Sequence, residues 1–398
     1  MHKIERLLQT LAPKGVEFRK LGEVLEYDQP NKYCVTSKEF DKSYPTPVLT
    51  AGKTFILGYT NEKDNIYQAS KSSPVIIFDD FTTATQWVDF PFKVKSSAMK
   101  ILLPKNPTIN IRFIFFYMQT IPYNISGEHT RQWISRYSQI TIPIPPLEIQ
   151  QEIVKILDAF TELNTELNTE LKARKKQYEY YQNMLLDFNG INQNHKDAKM
   201  SAKTYPKRLQ TLLQTLAPNG VEFRKLGEVC DFQKGKSITK KAVTFGKVPV
   251  ISGGRQPAYY HNEANRSGET IAISSSGVYA GYVSYWDIPV FLADSFSVSP
   301  KQKTLMPKYL FHYLTTQQDA IHATKSTGGI PHVYSKDLQN FLIPIPPLEI
   351  QQEIVKILDQ FSTLTTDLLA GIPAEIKARK KQYEYYREKL LTFKPLKA

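Results

Sequence analysis

The stretch IPIPPLEIQQEIVKILDAF, residues 142–160, occurs a second time at residues 343–361, with Gln360 in place of Ala159. Two further sequence segments, which we also call doubled phrases, occur twice. LLQTLAPxGVEFRKLGEV begins at Leu7 and Leu212, and KARKKQYEYY begins at Lys172 and Lys377. A repeat of about two hundred residues is far too long for the unit of a solenoid. The sequence therefore predicts two related halves, each consisting of a domain and a connector.

The doubled stretch has the pattern of a helix start. Proline is excluded from a helix interior, but its fixed φ suits the first turn, so Pro145 and Pro146 mark the beginning. Glu148 then lies where the helix dipole favours a negative charge. At about 1.5 Å per residue, a helix from this point to Phe188 is on the order of 60 Å long. In the second copy, Ala370–Pro373 (AGIP) predicts a kink or an interruption.

Apolar residues follow the helix start at alternating steps of four and three, which is the spacing of a coiled-coil stripe. Such a stripe is first of all a packing surface. On a helix of this length the apolar stripe needs a partner helix to pack against. The equivalent helix of the other half can serve as that partner. The residues predicted to pack are Ile153, Ile156, Phe160, Leu163, Leu167, Tyr178 and Leu185 in the first helix, and Ile354, Ile357, Phe361, Leu364, Leu368, Tyr383 and Leu390 in the second.

The first helix also carries a short internal repeat, TELNTELNTEL, from Thr161 to Leu171. Four residues lengthen a helix by about 6 Å and leave a net rotation near 40°. A coiled coil tolerates such a four-residue insertion by slight unwinding. The number of TELN copies is therefore expected to set the distance and the rotation between whatever lies at the two ends.

Between the doubled phrases the two halves look unrelated, and both mix short β-rich runs with Gly, Asn and Pro, which is typical of compact α+β domains. Residues 189–206 are polar and read as a linker. The predicted fold is α+β, with two globular domains separated by two long antiparallel coiled-coil helices in a pseudo-two-fold repeat. The predicted divisions are domain 1 (1–146), helix 1 (147–188), linker (189–206), domain 2 (207–347) and helix 2 with the C-terminus (348–398).

The chain is basic, with 51 Lys and Arg against 38 Asp and Glu and a formal net charge of +13. A charge of this size favours a polyanionic partner, such as DNA, a ribosome or an anionic membrane. The two cysteines, Cys34 and Cys230, lack the spacing of a zinc site or a disulfide framework. No stretch approaches the roughly 20 apolar residues of a membrane span, and no signal-peptide core is present. We expect a cytoplasmic location and no membrane partner.

The doubled phrases at Ile142 and Ile343 and the paired openings VEFRKLGEV resemble the specificity subunit of type I restriction-modification enzymes. The resemblance extends from about Leu7 to Phe393 and includes the TELN repeat, which in that family sets the gap between half-sites. It implies two target-recognition domains that each read one half of a split sequence in double-stranded DNA. It also implies that the helices form a spacer and dock two methyltransferase subunits, to which restriction subunits bind.

Recognition of DNA sequence needs Arg or Lys facing guanine and Asn or Gln facing adenine, with further cations on phosphate. Polar stretches just before each long helix, from Ser126 and Ser326, occupy matched positions but differ in content. A solvated loop side chain is the alternative for any one residue. The predicted DNA-binding residues are Arg131, Gln132, Arg136, His332, Tyr334 and Lys336 in these stretches, and Lys53, Thr54, Lys234, Lys236, Ser237, Arg255 and Gln256 elsewhere.

Motifs for catalysis are missing from the sequence. AGKT at residues 51–54 and KGKS at residues 234–237 lack the upstream glycine of a phosphate loop, and no G-x-G-x-x-G is present. No carboxylate cluster or nucleophile with a base and an acid stands out. We expect no cofactor, no metal site and no catalysis by this chain alone. The rival hypotheses are a self-contained enzyme and a non-catalytic coiled-coil adaptor between proteins. Three roles are open for the lysines and arginines of KARKKQYEYY: they form a solvated helix face, contact the DNA backbone, or contact a partner subunit.

Overall fold

A computed structural model describes residues 2–50, 54–122, 131–188, 205–301, 303–326, 329–366 and 371–396. The chain forms two compact units. Unit 1 comprises Met1–Leu167 and Ile376–Ala398, and unit 2 comprises Asn168–Glu375. Each long helical segment is therefore divided between the units, whereas the sequence prediction set the helices apart as separate regions.

The secondary structure follows the repeat. The helices are α1 (His2–Leu11), α2 (Leu21–Val24), α3 (Ile111–Met118), α4 (Leu147–Leu186), α5 (Lys207–Leu216), α6 (Leu226–Val229), α7 (Pro307–Thr316), α8 (Gln318–Ala323), α9 (Ser335–Leu338), α10 (Leu348–Thr366) and α11 (Ile372–Leu391). Short 3-10 turns occur at Pro30–Tyr33, Tyr137–Gln139 and Lys240–Ala242. Pro146 directly precedes α4, as the sequence predicts, and in the second copy Gly371, within the predicted interruption, is a bend just before α11.

The strands of unit 1 are β1 (Glu17–Lys20), β2 (Leu25–Asp28), β3 (Thr46–Leu49), β4 (Ile56–Thr60), β5 (Val75–Asp79), β6 (Thr85–Val88), β7 (Lys93–Val94), β8 (Met99–Pro104) and β9 (Thr141–Ile144). Those of unit 2 are β10 (Phe223–Lys225), β11 (Cys230–Lys234), β12 (Val248–Ile251), β13 (Tyr259–His261), β14 (Thr270–Ser274), β15 (Val283–Trp286), β16 (Phe291–Leu292), β17 (Ser295–Pro300) and β18 (Leu342–Pro344). Every strand of unit 1 thus has a counterpart in unit 2.

The sheet topology of the two units is the same. Unit 1 has a four-stranded sheet in the order β2-β8-β5-β6, a three-stranded sheet in the order β4-β3-β7, and the ribbon β1-β9. Unit 2 repeats these as β11-β17-β14-β15, β13-β12-β16 and β10-β18. The ribbons are built from the doubled phrases, with Phe18 opposite Pro143 and Phe223 opposite Pro344. The shared sequence therefore forms the frame, and the unrelated sequence forms the sheets mounted on it.

The central strand β5 explains why its sequence, VIIFD, is continuously apolar. Ile76 and Phe78 pack into one core with helix α3, and Val75 and Ile77 pack into a second core on the other face of the sheet. A strand buried on both faces shows no alternation of apolar and polar residues. The short apolar runs of the sequence are thus the centres of two-sided sheets.

A buried glutamine in the doubled stretch fastens each variable domain to its long helix. Gln150 accepts a hydrogen bond from the backbone N–H of Asn110 (2.8 Å) and donates to the carbonyl of Pro145 (2.7 Å). Gln351 does the same with Met306 (2.9 Å) and Pro346 (2.7 Å). Both glutamines are almost fully buried, so their hydrogen bonds must be satisfied by the protein. This joint accounts for the near-identity of the phrase in two otherwise different halves.

Within each unit, parts of two long helices pack side by side. In unit 1 the rings of Phe160 and Tyr386 stack with centroids 5.5 Å apart, and in unit 2 the equivalent pair is Phe361 and Tyr181, at 5.1 Å. In unit 1 the beginning of α4 and the end of α11 share one core, so these helices run antiparallel. The end of α4 and the beginning of α10 likewise share the core of unit 2. Each repeat therefore packs against the other in the predicted antiparallel sense.

The packing stripe is wider than the predicted one. Leu157 and Leu358 are fully buried alongside Ile153 and Ile354, although the four-three spacing omits them. The other stripe residues vary: Leu167, Leu185 and Leu390 are buried, and Ile156, Phe160, Leu163, Tyr178, Ile357, Phe361 and Tyr383 are half-buried.

The prediction for Leu364 is wrong. Its side chain is 45% exposed, while that of the adjacent Thr365 is 1% exposed. Because an α-helix turns once in 3.6 residues rather than 3.5, a strict seven-residue spacing drifts off the packed face. Leu368 lies outside the described residues. So do residues 189–204, which make up most of the predicted linker.

Candidate nucleic-acid interface

In unit 2, the ends of several strands and two loops meet at one side of the four-stranded sheet, which we call the loop edge of unit 2. The backbone N–H of Gly235, after β11, donates to the carbonyl of Ser295 (2.8 Å). Ser275, after β14, donates to the carbonyl of Asp294 (3.0 Å), and Val333 donates to the carbonyl of Ser275 (2.9 Å). Backbone hydrogen bonds thus bring together segments that are about a hundred residues apart in sequence.

A surface cavity of about 390 Å³ opens at this loop edge. Its lining residues are Lys234, Ser275, Asp294, Phe296, His332, Val333, Tyr334, Ser335 and Lys336. The rings of His332 and Tyr334 lie 6.0 Å apart and nearly parallel, and the Lys336 ammonium lies 5.5 Å from the centre of the Tyr334 ring. Four predicted DNA-binding residues, Lys234, His332, Tyr334 and Lys336, therefore line one cavity. Lysines beside exposed aromatic rings suit phosphate and base contacts.

The remaining predicted residues of unit 2 lie on exposed loops. The guanidinium of Arg255 lies 4.9 Å from the ring centre of Tyr279 and 5.6 Å from that of Tyr282, in the loop after β14. Its own loop is tied to β14 because the Ser274 hydroxyl donates to the carbonyl of Ser252 (3.1 Å). Gln256, Lys236 and Ser237 are exposed. The backbone N–H of Lys236 donates to the carbonyl of Leu292 (2.9 Å).

Unit 1 presents a different surface at the matching loop edge. Arg131 and Arg136 are exposed, and Thr54 is exposed after β3. Lys53 lies outside the described residues. Gln132 is only 2% exposed, and its backbone N–H donates to the carbonyl of Asp80 (2.8 Å). The predicted DNA contact of Gln132 is therefore wrong, because its side chain faces the interior of the unit.

A buried ion pair, which sequence reasoning missed, lies beneath Arg131. The Lys100 ammonium is 3.6 Å from the Asp80 carboxylate, and both side chains are at most 1% exposed. Burial lowers the pKa of Lys100, Asp80 opposes that change, and the charge of Arg131 adds to it. The other oxygen of Asp80 accepts from the backbone N–H of Trp133 (2.8 Å). Asp80 thus holds the segment from which Arg131 projects.

The backbone bonds give a residue-by-residue match between the two loop edges. The N–H of Asp80 donates to the carbonyl of Ala98 (3.3 Å), just as Ser275 donates to that of Asp294. Strand pairing places Lys100 opposite Phe78 and Phe296 opposite Ile273. Unit 1 therefore has Asp80, Ala98 and Lys100 where unit 2 has Ser275, Asp294 and Phe296. The same frame displays different chemistry at each position.

Other kinds of site are not seen in the described part of the chain. Among those residues no group of three or more His, Cys, Asp or Glu could hold a metal ion. None of the helices that the structure describes is both long and apolar enough to cross a membrane. Lys234, Lys236 and Ser237 of the KGKS stretch are exposed, and Lys234 lines the cavity.

Comparison with known proteins agrees with this doubled architecture. The sequence model of the family described as Type I restriction modification DNA specificity domain matches twice, at residues 13–176 and 218–378. The chain belongs to this family and carries two of its specificity domains.

Relatives match over nearly the whole chain. It is 40% identical to the EcoR124I/EcoR124II specificity subunit of Escherichia coli, over 99% of this chain and 97% of that protein. It is 30% identical to a putative type I specificity subunit of Haemophilus influenzae, over 98% of each. Among solved structures, the S subunit from M. genitalium shares the fold with a TM-score of 0.67, at 18% identity over 95% of this chain and 96% of that one.

Proposed function

We propose that this chain is the non-catalytic DNA-reading subunit of a type I restriction-modification complex. Each unit reads one half of a split site in double-stranded DNA. The observation that carries the proposal is the pair of loop edges, which lie on one repeated frame but differ in side-chain chemistry. A doubled frame with two dissimilar surfaces suits two dissimilar half-sites.

Electrostatics supports DNA as the ligand. The net charge of +13 attracts a polyanion. The exposed cations Lys234, Lys336, Arg131 and Arg136 lie at the loop edges, where they can neutralise phosphates and approach base edges. We expect Thr54, Lys53, Lys236, Ser237, Arg255 and Gln256 to add contacts around them.

The long helices are proposed to serve as the spacer between half-sites. Helix α4 is a continuous helix of 40 residues that starts in unit 1 and ends in unit 2, and the TELN repeat lies within it. B-DNA repeats every 10–10.5 base pairs over about 34–36 Å, so a protein of fixed length selects a fixed gap. We expect the packing residues named above, except the exposed Leu364, to keep the helices paired and the spacer stiff.

The same helices are proposed to dock two methyltransferase subunits, and restriction subunits join through that complex. The basic phrase KARKKQYEYY is present in both helices, and Tyr180 and Tyr385 at matched positions are 62% and 58% exposed. A surface shared by both halves suits a partner shared by both halves. We place this assembly in the cytoplasm, where it meets chromosomal DNA.

A domain exchange tests the proposal. Residues 24–140 are replaced by the corresponding region of another specificity subunit, and the chain is produced with its methyltransferase subunits. Single-molecule sequencing of the methylated host DNA should show one half of the motif changed, with the other half and the gap length unchanged. A change in both halves would refute the modular reading, and a changed gap would refute the helical spacer. The absence of any methylated motif in the wild type would refute the proposed function itself.

A further inference from the structure

One acidic side chain stands out in the basic cavity of unit 2. Asp294 is exposed, and it lines the cavity together with Lys234 and Lys336. The Ser276 hydroxyl donates to its Oδ2. The carboxylate is thus held on one side and keeps acceptor capacity on the other.

The position of Asp294 is fixed by the backbone around it. Its carbonyl accepts from Ser275 (3.0 Å), and the preceding Ala293 donates to the carbonyl of Ile251 (2.8 Å). The carbonyl of the following residue, Ser295, accepts from Gly235 (2.8 Å). Hydrogen bonds to segments in or next to three other strands therefore fix the backbone around Asp294, while its side chain is exposed to solvent. A side chain positioned by rigid elements reads a ligand more accurately than one on a free loop.

A carboxylate at a DNA-binding surface is repelled by phosphates unless it accepts a hydrogen bond from a base. In the major groove, cytosine presents the N4 amino donor, whereas guanine and thymine present acceptors at O6 and O4. A carboxylate therefore accepts from cytosine and repels the other two bases, which gives selection by attraction and by exclusion. Adenine offers a donor beside an acceptor, a pattern that an amide matches better.

We propose that Asp294 is a specificity-determining residue that reads cytosine in the half-site bound by unit 2, which rests on the proposed function. Lys336, across the same cavity, faces the guanine of that base pair, whose O6 and N7 are acceptors. The matched residue of unit 1 is Ala98, which has no polar side-chain atom, so unit 1 does not read an amino group at this position.

The test uses the complex of the full chain with its methyltransferase subunits. Asp294→Asn keeps an oxygen that can accept from Ser276 but removes the charge. In the wild type, the half-motif of unit 2, identified by the domain exchange, should contain a C·G pair. In Asp294→Asn that position should become degenerate, with discrimination against other bases reduced about tenfold to a hundredfold. The half read by unit 1 should be unchanged.

Asp231→Asn is the matched control. Asp231 is an exposed carboxylate on the same strand as Lys234, and it lies 3.9 Å from Lys301 rather than in the cavity. The complex that contains Asp231→Asn should methylate the same DNA motif as the wild type. The inference is overturned if the Asp294→Asn complex methylates the wild-type motif with undiminished selectivity, or if the half-site of unit 2 contains no C·G pair. In either case a bipartite wild-type motif would leave the proposed function standing.

Discussion

The four-stranded sheets of the two units differ at matched positions of their loop edges. Unit 1 has a buried pair of charged side chains there, whereas unit 2 has exposed charged side chains around a cavity. In unit 1, Lys100 and Asp80 are buried and hold the backbone of the next segment. In unit 2, the matched positions hold Phe296 and Ser275, and the charged groups surround an open cavity. The comparison teaches that a common frame fixes where a loop edge lies, while a few substitutions decide whether its charges support the backbone or face a ligand.

The strongest way to break this comparison is to remove the buried charge of unit 1. In Asp80→Ala the Lys100 ammonium loses its carboxylate partner and keeps only Gln29 and the ring of Tyr27, and the backbone N–H of Trp133 loses its acceptor. Removing one member of a buried pair costs about 3–5 kcal/mol of stability. Hydrogen exchange followed by mass spectrometry should show faster exchange in peptides of β5 and of residues 131–139. Ser275→Ala, the matched change in unit 2, should cost less than about 1 kcal/mol; equal costs would mean that the two edges do not differ as described.

Acid should increase the difference between the units, because unit 1 holds a second ion pair, between buried Lys93 and half-buried Glu62. Lys93 lies 2.7 Å from Glu62, and the matched residue of unit 2 is Phe291. Burial by itself would raise the pKa of Glu62, but Lys93 and hydrogen bonds from Ser37 and Thr36 lower it to about 2. Because the folded-state pKa is below the ordinary value of 4.5, this stabilisation is complete above pH 4.5 and is lost as the pH falls toward 2.

The expected loss is below about 3 kcal/mol, since each pKa unit corresponds to about 1.4 kcal/mol and solvent screens this partly exposed pair. In a Trp286→Phe background, the remaining tryptophans, Trp87 and Trp133, both report on unit 1. Acid titration should destabilise unit 1 between pH 4.5 and 2, and Glu62→Gln should flatten that dependence. A Glu62→Gln curve parallel to that of its parent would show that this pair does not set the acid response.

A smaller effect is expected where each variable domain meets its long helices. In unit 2, buried His312 lies 3.0 Å from Asp359 and 3.3 Å from the Tyr178 hydroxyl, whereas unit 1 has Phe116 at the matched position. His312→Phe copies unit 1 and should cost about 1–2 kcal/mol, because the partly buried Tyr178 hydroxyl loses its partner while Asp359 keeps Lys308 at 2.6 Å. Urea denaturation followed by Trp286 fluorescence measures it. A neutral or stabilising result would show that the ring is interchangeable at this joint.

The sequence predicted the shared helices and the position of the polar segments because both are present in two copies. The prolines before α4, the apolar spacing of the helices and the polar segments preceding them could all be compared between two copies. It failed at Gln132 and Leu364, where burial depends on the angle at which one segment meets the sheet or helix behind it. Asp80 and Lys100 gave no signal either, since a lysine within the strand MKILLP pairs with a carboxylate twenty residues away. The doubled sequence constrains the backbone, but the fit of individual side chains requires the folded unit.

The last residues of the chain complete unit 1. Leu390 and Leu391 are buried in its core, and the N–H of Val16 donates to the carbonyl of Lys394 while Leu396 donates to that of Val16. During synthesis, unit 2, which ends at Glu375, has all its residues before unit 1 does. The domain that is translated first therefore lacks part of its core until unit 2 has been translated. A chain that stops near Lys377 would leave the core of its older domain without Leu390 and Leu391.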